Sequence, residues 1–153
     1  MSDKNIQVAK EIYAAFSRGD VPTIMQHMSD DLQGFGIVSE QKLLPWHMNI
    51  SKKQDVPNFF KALADTCEFT RFEPRDFAAG GDYVYCTISS EATFKRNHKK
   101  QTVGNVMHRF KFKNGKVIEW RGTEDTAGKR RIPRGRRVAA IRLRIIRSTA
   151  GLL

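Results

Sequence analysis

The feature that most constrains the fold is the Asn-Gly pair in the segment KNGK, residues 113–116. The alternating run GNVMHRFKF precedes it at residues 104–112, and KVIEWRGTED follows at residues 116–125. An Asn-Gly pair between two such runs is the strongest short-range signal for an antiparallel hairpin. Alternate side chains of a strand lie on opposite faces, so His108 shares its face with two phenylalanines. Such an imidazole either meets a ligand or is a core group satisfied by a backbone carbonyl and a buried hydroxyl.

The rest of the chain predicts three helices and then further strands. Apolar residues at helical spacing cover residues 5–17, and Asp20 and Asp55 are expected to cap a second and a third helix. After Thr66 the pattern changes to long alternating strands separated by turns. Helices followed by an antiparallel meander predict an α+β fold. A curved sheet wrapped around helices leaves a hollow, and such hollows bind small molecules.

Two local patterns add detail to this outline. A short strand is predicted around Gly34 and Gly36, followed by a polar loop, residues 41–53, with an exposed-looking Pro-Trp-His sequence. Tyr83 and Tyr85 have the parity opposite to their apolar strand neighbours. We expect these tyrosines on the outer face of the sheet, where a dimer would bury them.

Length and composition predict a single globular domain of 153 residues, large enough to bury about two-thirds of its unfolded surface. The sequence has no run of about 18 apolar residues and no basic-then-apolar N-terminus, so we expect neither a membrane span nor a signal peptide. Cys67 and Cys86 stand far apart in unrelated contexts and give neither a metal-ligand spacing nor a disulfide framework. These features predict a cytoplasmic protein.

The net charge of +11 is concentrated at the C-terminus. Residues 129–153 contain nine basic and no acidic residues, which leaves 18 basic against 16 acidic in residues 1–128. We therefore divide the chain into a domain, residues 1–127, and a basic extension, residues 128–153. The extension is interpreted first as a structural or accidental accretion. Nucleic-acid binding, contact with acidic lipid and an added edge strand are the alternatives, and the absence of interleaved aromatic residues makes nucleic-acid binding a remote one.

Several motifs in order resemble one family. IYAAFSRGDVPTIMQHMSDD, PW…DVPNFFKAL, FTRFEPRDFAAGGDYV and MHRFKFKNGKVIEWRGTEDTA together resemble the SnoaL-like branch of the nuclear-transport-factor-2-like superfamily, which includes polyketide cyclases and ketosteroid isomerase. The resemblance covers roughly residues 5–127. It implies a conical α+β barrel, a curved antiparallel sheet around three helices, with a deep pocket for a small hydrophobic molecule. It also implies a homodimer and activity without a metal or an organic cofactor.

The resemblance to ketosteroid isomerase can be checked position by position. The residue matching its aspartate base is Gly36, and the residue matching its oxyanion-hole tyrosine, eight positions before Asp20, is Ile12. The neighbouring Tyr13 is expected to face elsewhere. With neither base nor donor in place, the chain is not expected to be a ketosteroid isomerase. The second oxyanion-hole position of that family falls on His108.

SnoaL-type cyclases pair a histidine on the penultimate strand with a carboxylate on the last strand that acts as general acid/base. By resemblance the catalytic candidates are His108 and Glu124, with Asp125 as the second choice of carboxylate. Glu124 has the same parity as Trp120, the parity expected to face the pocket. Burial in an apolar pocket raises the pKa of a carboxylate, so that it can exchange a proton near pH 7. The alternative for Glu124 is a solvent-exposed strand end paired with Arg121 or with an arginine of the extension.

Aromatic residues are expected to form the pocket wall. The candidates for substrate binding are Trp120, Phe110, Trp46, His47, Phe59, Phe60 and Tyr13. The sequence therefore predicts a cofactor-free enzyme that acts by general acid/base catalysis on a hydrophobic, oxygenated substrate. The reaction would be a cyclisation, an isomerisation, a dehydration or an epoxide hydrolysis. The alternative is a non-catalytic ligand-binding protein of the same fold.

Overall fold

The computed structural model describes residues 2–37 and 44–124, which form three α-helices and a curved, open, five-stranded sheet. The elements are α1 (Ser2–Ser17), α2 (Val21–His27), β1 (Gly34–Ile37), a short 3-10 helix (Lys53–Asp55), α3 (Val56–Thr66), β2 (Cys67–Gly80), β3 (Tyr83–Phe94), β4 (Lys100–Lys113) and β5 (Lys116–Gly122). The α+β class and the predicted order of helices and strands are confirmed.

The two aspartates that were predicted to cap helices behave differently. Asp20 caps α2 as predicted, because its carboxylate accepts hydrogen bonds from the backbone nitrogen of Thr23 at 3.1 Å and from its hydroxyl at 2.7 Å. Both hydrogen bonds lower the pKa of Asp20, and the bond from the Thr23 hydroxyl has the larger effect. The predicted cap by Asp55 is wrong, since its side chain makes no capping hydrogen bond. Asp55 ends the 3-10 helix with helical backbone angles, whereas a capping side chain normally belongs to an extended residue.

The strand order in the sheet is β1-β5-β4-β3-β2, and the strands from β2 to β5 form the predicted antiparallel meander. The Asn114-Gly115 turn between β4 and β5 has positive φ at both residues, 51° and 72°, as the tight hairpin turn requires. The sequence did not predict that β1 would add to the far edge parallel to β5, with Phe35 opposite Trp120.

One face of the sheet packs against the helices and encloses the core. Alternate residues of β3, including Val84 and Cys86, are buried on this inner face. Tyr83 and Tyr85 lie on the outer face with their rings stacked at 6.1 Å between centroids, and Tyr85 is 39% exposed. Their predicted placement is confirmed, and the dimer that would cover them stays a prediction.

Some predictions fall on residues that the structure does not describe. They concern Asp125, the first part of the loop at 41–43, and the basic extension at 128–153, all of which lie outside the described residues. Across residues 2–37 and 44–124, none of the helices has the length and apolar character needed to cross a membrane.

Candidate functional site

A cavity of about 100 Å³ lies between the helices and the inner face of the sheet. Several water molecules would fit in this volume, since one needs about 10–15 Å³ measured in this way. Most of the wall is apolar, and the polar side chains that interrupt it are Tyr13, Ser90, Gln101, His108, Thr123 and Glu124. Six of the seven candidates for substrate binding line the cavity: Tyr13, Trp46, Phe59, Phe60, Phe110 and Trp120. The seventh, His47, does not.

His108 reaches the cavity from the middle of β4. Its backbone pairs with Cys86 on β3 and with Gly122 on β5, and only 7% of its surface is exposed. The ring lies edge-on to Trp120, with centroids 4.9 Å apart. A Cβ at position 122 would lie 3.1 Å from Nε2 of the imidazole, so the glycine at that position leaves room for the ring.

The hydroxyl of Tyr13 lies 2.8 Å from Nδ1 of His108. The expectation that Tyr13 would face elsewhere was therefore wrong. The inward stripe of α1 is wide enough to include two consecutive residues, so that Ile12 and Tyr13 both line the cavity. Burial raises the pKa of Tyr13 well above its ordinary value, so the phenol keeps its proton.

Sequence analysis missed Cys86 as part of the site. Its sulfur lies 3.5 Å from the hydroxyl of Tyr13, the same hydroxyl that contacts His108. Burial raises the pKa of the Cys86 thiol to about 11. Two signals could have placed this thiol beside the site. Residues 84, 86 and 88 share the inward parity, and β3 pairs with β4, the strand that carries His108.

Glu124 lies just beyond β5 and is held by two side chains from the loop before α3. The indole nitrogen of Trp46 donates a hydrogen bond to Oε1 at 2.7 Å, and Nε2 of His47 lies 2.9 Å from Oε2. The side chain of Glu124 is only 9% exposed. The alternative prediction, that Glu124 is a solvent-exposed strand end, is therefore wrong. Hydrogen bonds to a carboxylate favour its ionised form, whereas burial favours the protonated form.

The loop that carries Trp46 and His47 is attached to β1. Backbone hydrogen bonds join Phe35 and Ile50 in both directions, at 2.7 and 2.9 Å. Trp46 is 2% and His47 is 6% exposed, so the expectation of exposure was wrong for these two rings, whereas Pro45 is exposed as expected. Glu124 provides a buried partner for the indole nitrogen of Trp46 and for Nε2 of His47, which favours the burial of both rings.

Gly36 marks the point where this loop comes closest to β1. Its φ of 138° is one that side-chain-bearing residues rarely adopt, and an added Cβ would collide with the carbonyl oxygen of Met48. The position that matches the isomerase base is therefore occupied by loop backbone. Any carboxylate chemistry in this cavity must come from another residue.

The remaining acidic group of the last strand lies on the other side of the sheet. Glu119 forms ion pairs with Arg109 and Arg121 rather than reaching the cavity. Within residues 2–37 and 44–124, no group of three or more His, Cys, Asp or Glu side chains could hold a metal ion. Among the described polar residues of the cavity wall, the candidates for proton transfer are the pair formed by Tyr13 and His108 and the carboxylate held by the loop.

The family described as a SnoaL-like domain matches residues 9–120, which is most of the chain. The chain belongs to the SnoaL-like family. A search of curated protein sequences gave no match for this SnoaL-like protein.

Three solved structures show the same fold. An NTF2-like protein of unknown function from Burkholderia pseudomallei is 23% identical, with a TM-score of 0.76 and coverage of 86% of this chain and 97% of that one. TerC, co-crystallized with polyporic acid, is 19% identical, with a TM-score of 0.73 and coverage of 83% and 95%. An epoxide hydrolase of M. tuberculosis is 15% identical, with a TM-score of 0.64 and coverage of 83% and 86%.

Proposed function

We propose that this SnoaL-like protein is an enzyme that uses general acid/base catalysis on a small hydrophobic molecule containing oxygen. The observation that carries the proposal is Glu124, a nearly buried carboxylate on the wall of an apolar cavity, held at both oxygens by Trp46 and His47. Burying a carboxylate costs desolvation free energy, and a carboxylate buried in a cleft beside specific partners is typical of a catalytic site. Glu124 and His108 are the proposed catalytic residues, and Asp125 remains a further candidate outside the described residues.

Glu124 would act as the proton carrier. Its carboxylate can take a proton from a carbon acid or from a water molecule and return it later in the cycle. The two hydrogen bonds fix the orientation of the carboxylate before the substrate binds. The reaction then carries no further entropy cost for orienting this group. The imidazole of His108 would polarise the substrate oxygen on which negative charge develops. This chemistry requires no cofactor, since the carboxylate and the imidazole move or stabilise all the charge involved.

The wall of the cavity supports the choice of substrate class. Phe59, Phe60, Phe110 and Trp120 surround the space in which a substrate would lie. Burying apolar surface against these rings contributes about 25 cal/mol per Å². Among proteins of the same fold, one is an epoxide hydrolase and one was crystallised with polyporic acid, which supports a small organic substrate.

A non-catalytic binding protein is the second candidate, because both proposed catalytic groups already have partners within the chain. Glu124 is hydrogen-bonded to the loop and His108 to Tyr13. A ligand held by apolar contact alone would leave these groups undisturbed.

Ligand binding and turnover measured on the same compounds distinguish the two candidates. Both tryptophans of the chain, Trp46 and Trp120, line the cavity, so quenching of intrinsic fluorescence reports occupancy. A panel of hydrophobic epoxides, enolisable ketones and hydroxy ketones would be titrated and then incubated with the protein, with products followed by mass spectrometry. We expect at least one compound to bind saturably and to be converted. Saturable binding with complete recovery of every compound favours the binding protein.

The proposal also includes a cytoplasmic homodimer. The half-buried Tyr83 and the exposed Tyr85, stacked on the outer face of the sheet, support an interface there. Light scattering on the purified chain tests the dimer. Nucleic-acid binding through residues 129–153 is excluded if their deletion leaves affinity for DNA and RNA at low salt unchanged.

A further inference from the structure

Three buried side chains form a hydrogen-bonded row that starts behind the cavity wall and ends within the site. Cys86 of β3 lies 3.5 Å from the hydroxyl of Tyr13 on α1, and that hydroxyl lies 2.8 Å from Nδ1 of His108 on β4. Each of the three residues is at most 7% exposed. Hydrogen bonds between buried groups are electrostatically stronger than hydrogen bonds in water. The position of each proton in this row therefore matters.

The protons in this row have one favourable arrangement. The phenol of Tyr13 has a single proton, and the imidazole Nδ1 of His108 is a far better acceptor for it than the sulfur of Cys86. The thiol then donates its own proton to the phenol oxygen. Burial keeps both donors protonated, since it raises the pKa of Tyr13 and brings that of Cys86 to about 11.

This arrangement of protons determines the tautomer of His108. An Nδ1 that accepts a hydrogen bond carries no proton, so the proton of the neutral imidazole lies on Nε2. Nε2 is the ring nitrogen next to Gly122, which stands two residues before Glu124 in the chain, and both His108 and Glu124 line the cavity. The site therefore combines a hydrogen-bond donor from β4 with a carboxylate acceptor from the end of β5.

We infer that Cys86 and Tyr13 fix His108 as a neutral donor at Nε2, and that the substrate presents to it an uncharged oxygen acceptor such as a carbonyl, ether or epoxide oxygen. Tyr13 is then a positioning residue, because its single proton is used on His108, and not a substrate-binding residue as the sequence suggested. The substrate class rests on the proposed function, whereas the protonation of His108 does not.

Nitrogen-15 NMR of histidine-labelled protein at pH 7 tests the protonation directly. The chain has four histidines, and a His108→Gln variant identifies the signals of His108. We expect a protonated Nε2 and an unprotonated Nδ1 in the wild type, and a mixture of both tautomers in Tyr13→Phe. The matched control is Tyr83→Phe, which removes a phenol on the outer face and is expected to leave the spectrum unchanged. A proton on Nδ1 of His108 in the wild type overturns the inference, whether or not Tyr13→Phe folds.

Kinetics on a converted compound test the substrate class. Tyr13→Phe is expected to lower kcat by about 10-fold to 100-fold, the usual cost of losing an orienting partner, with less than about a 3-fold change in KM. A loss confined to KM would show that Tyr13 binds substrate directly and would overturn its positioning role. If His108 has its proton on Nε2 but only compounds without an uncharged oxygen acceptor are converted, the substrate class is wrong and general acid/base catalysis still holds.

Discussion

The indole nitrogen of Trp46 lies 2.7 Å from Oε1 of Glu124, although 78 positions separate the two residues in the chain. This contact joins the loop before α3 to the end of the last strand. His47 strengthens it through the second carboxylate oxygen at 2.9 Å. The loop and the strand end therefore form one wall of the cavity, with the carboxylate at their junction.

Replacing the indole of Trp46 by a ring without a donor tests this junction. Trp46→Phe keeps an aromatic ring against Phe94 but removes one hydrogen bond to the buried Glu124. A hydrogen bond to a charged group contributes about 1.5–3 kcal/mol, so we expect the free energy of unfolding in urea to fall by that amount. Because the carboxylate is less well oriented, kcat should fall by about 10-fold. An unchanged kcat would show that Trp46 does not orient a catalytic group.

The close approach of the loop to β1 predicts that Gly36 cannot be replaced. Gly36→Ala would combine an unfavourable φ of 138° with a collision against the backbone of Met48. We expect a loss of more than about 2 kcal/mol in urea unfolding. Gly80→Ala is the matched control, since open space surrounds Gly80, and it should cost less than about 0.5 kcal/mol. Equal losses in the two variants would mean that the loop is not anchored at Gly36.

Gly122 predicts a separate effect on His108. A Cβ at this position would lie 3.1 Å from Nε2 of the imidazole and 3.1 Å from Cγ1 of Ile37. Gly122→Ala should therefore displace the ring and lower kcat by about 10-fold or more, at a stability cost of about 1–3 kcal/mol. Gly104→Ala, on the same sheet with no neighbour near its Cβ, should leave kcat unchanged. If both variants retain full activity, the position of the His108 ring is not important for turnover.

Three features of the fold and the site could be predicted from sequence. Strand parity gave the inward faces of His108, Phe110 and Trp120 because a pleated strand leaves only two choices for each side chain. The Asn-Gly turn fixed the pairing of β4 with β5. Parity combined with that pairing also placed Glu124 on the same face as His108.

Other features could not be read from the sequence, because they depend on contacts between distant segments. The burial of Trp46 and His47 requires the carboxylate of Glu124, which no local pattern in the loop indicates. Matching one helix position to a family pattern placed Tyr13 away from the oxyanion hole, although Tyr13 was also a candidate for the pocket wall, and the inward face of α1 includes both adjacent residues. The parallel pairing of β1 with β5 is likewise a long-range choice.

The buried thiol of Cys86 predicts a loss of stability at alkaline pH. Its pKa is raised from 9.0 to about 11, so the unfolded chain releases this proton first as the pH rises. The stabilising contribution is complete below pH 9.0 and is lost as the pH approaches 11. Between pH 8 and pH 10.5 we expect the wild type to lose about 2 kcal/mol more than Cys86→Ser, which cannot ionise but can still donate to Tyr13. Parallel urea-unfolding curves at the two pH values make the measurement. Equal losses would mean that the thiol is not buried as the structure shows.

The effect of Glu124→Gln on turnover tests the central claim most directly. Glutamine keeps the size of the side chain but cannot carry a proton between substrate atoms. Glu119→Gln is the matched control, since Glu119 pairs with Arg109 and Arg121 away from the cavity. For a compound that the wild type converts, we predict that Glu124→Gln lowers kcat by about 100-fold to 10,000-fold while fluorescence quenching still shows binding, and that Glu119→Gln keeps wild-type kcat. A Glu124→Gln protein that binds and converts the compound at the wild-type rate would contradict the account.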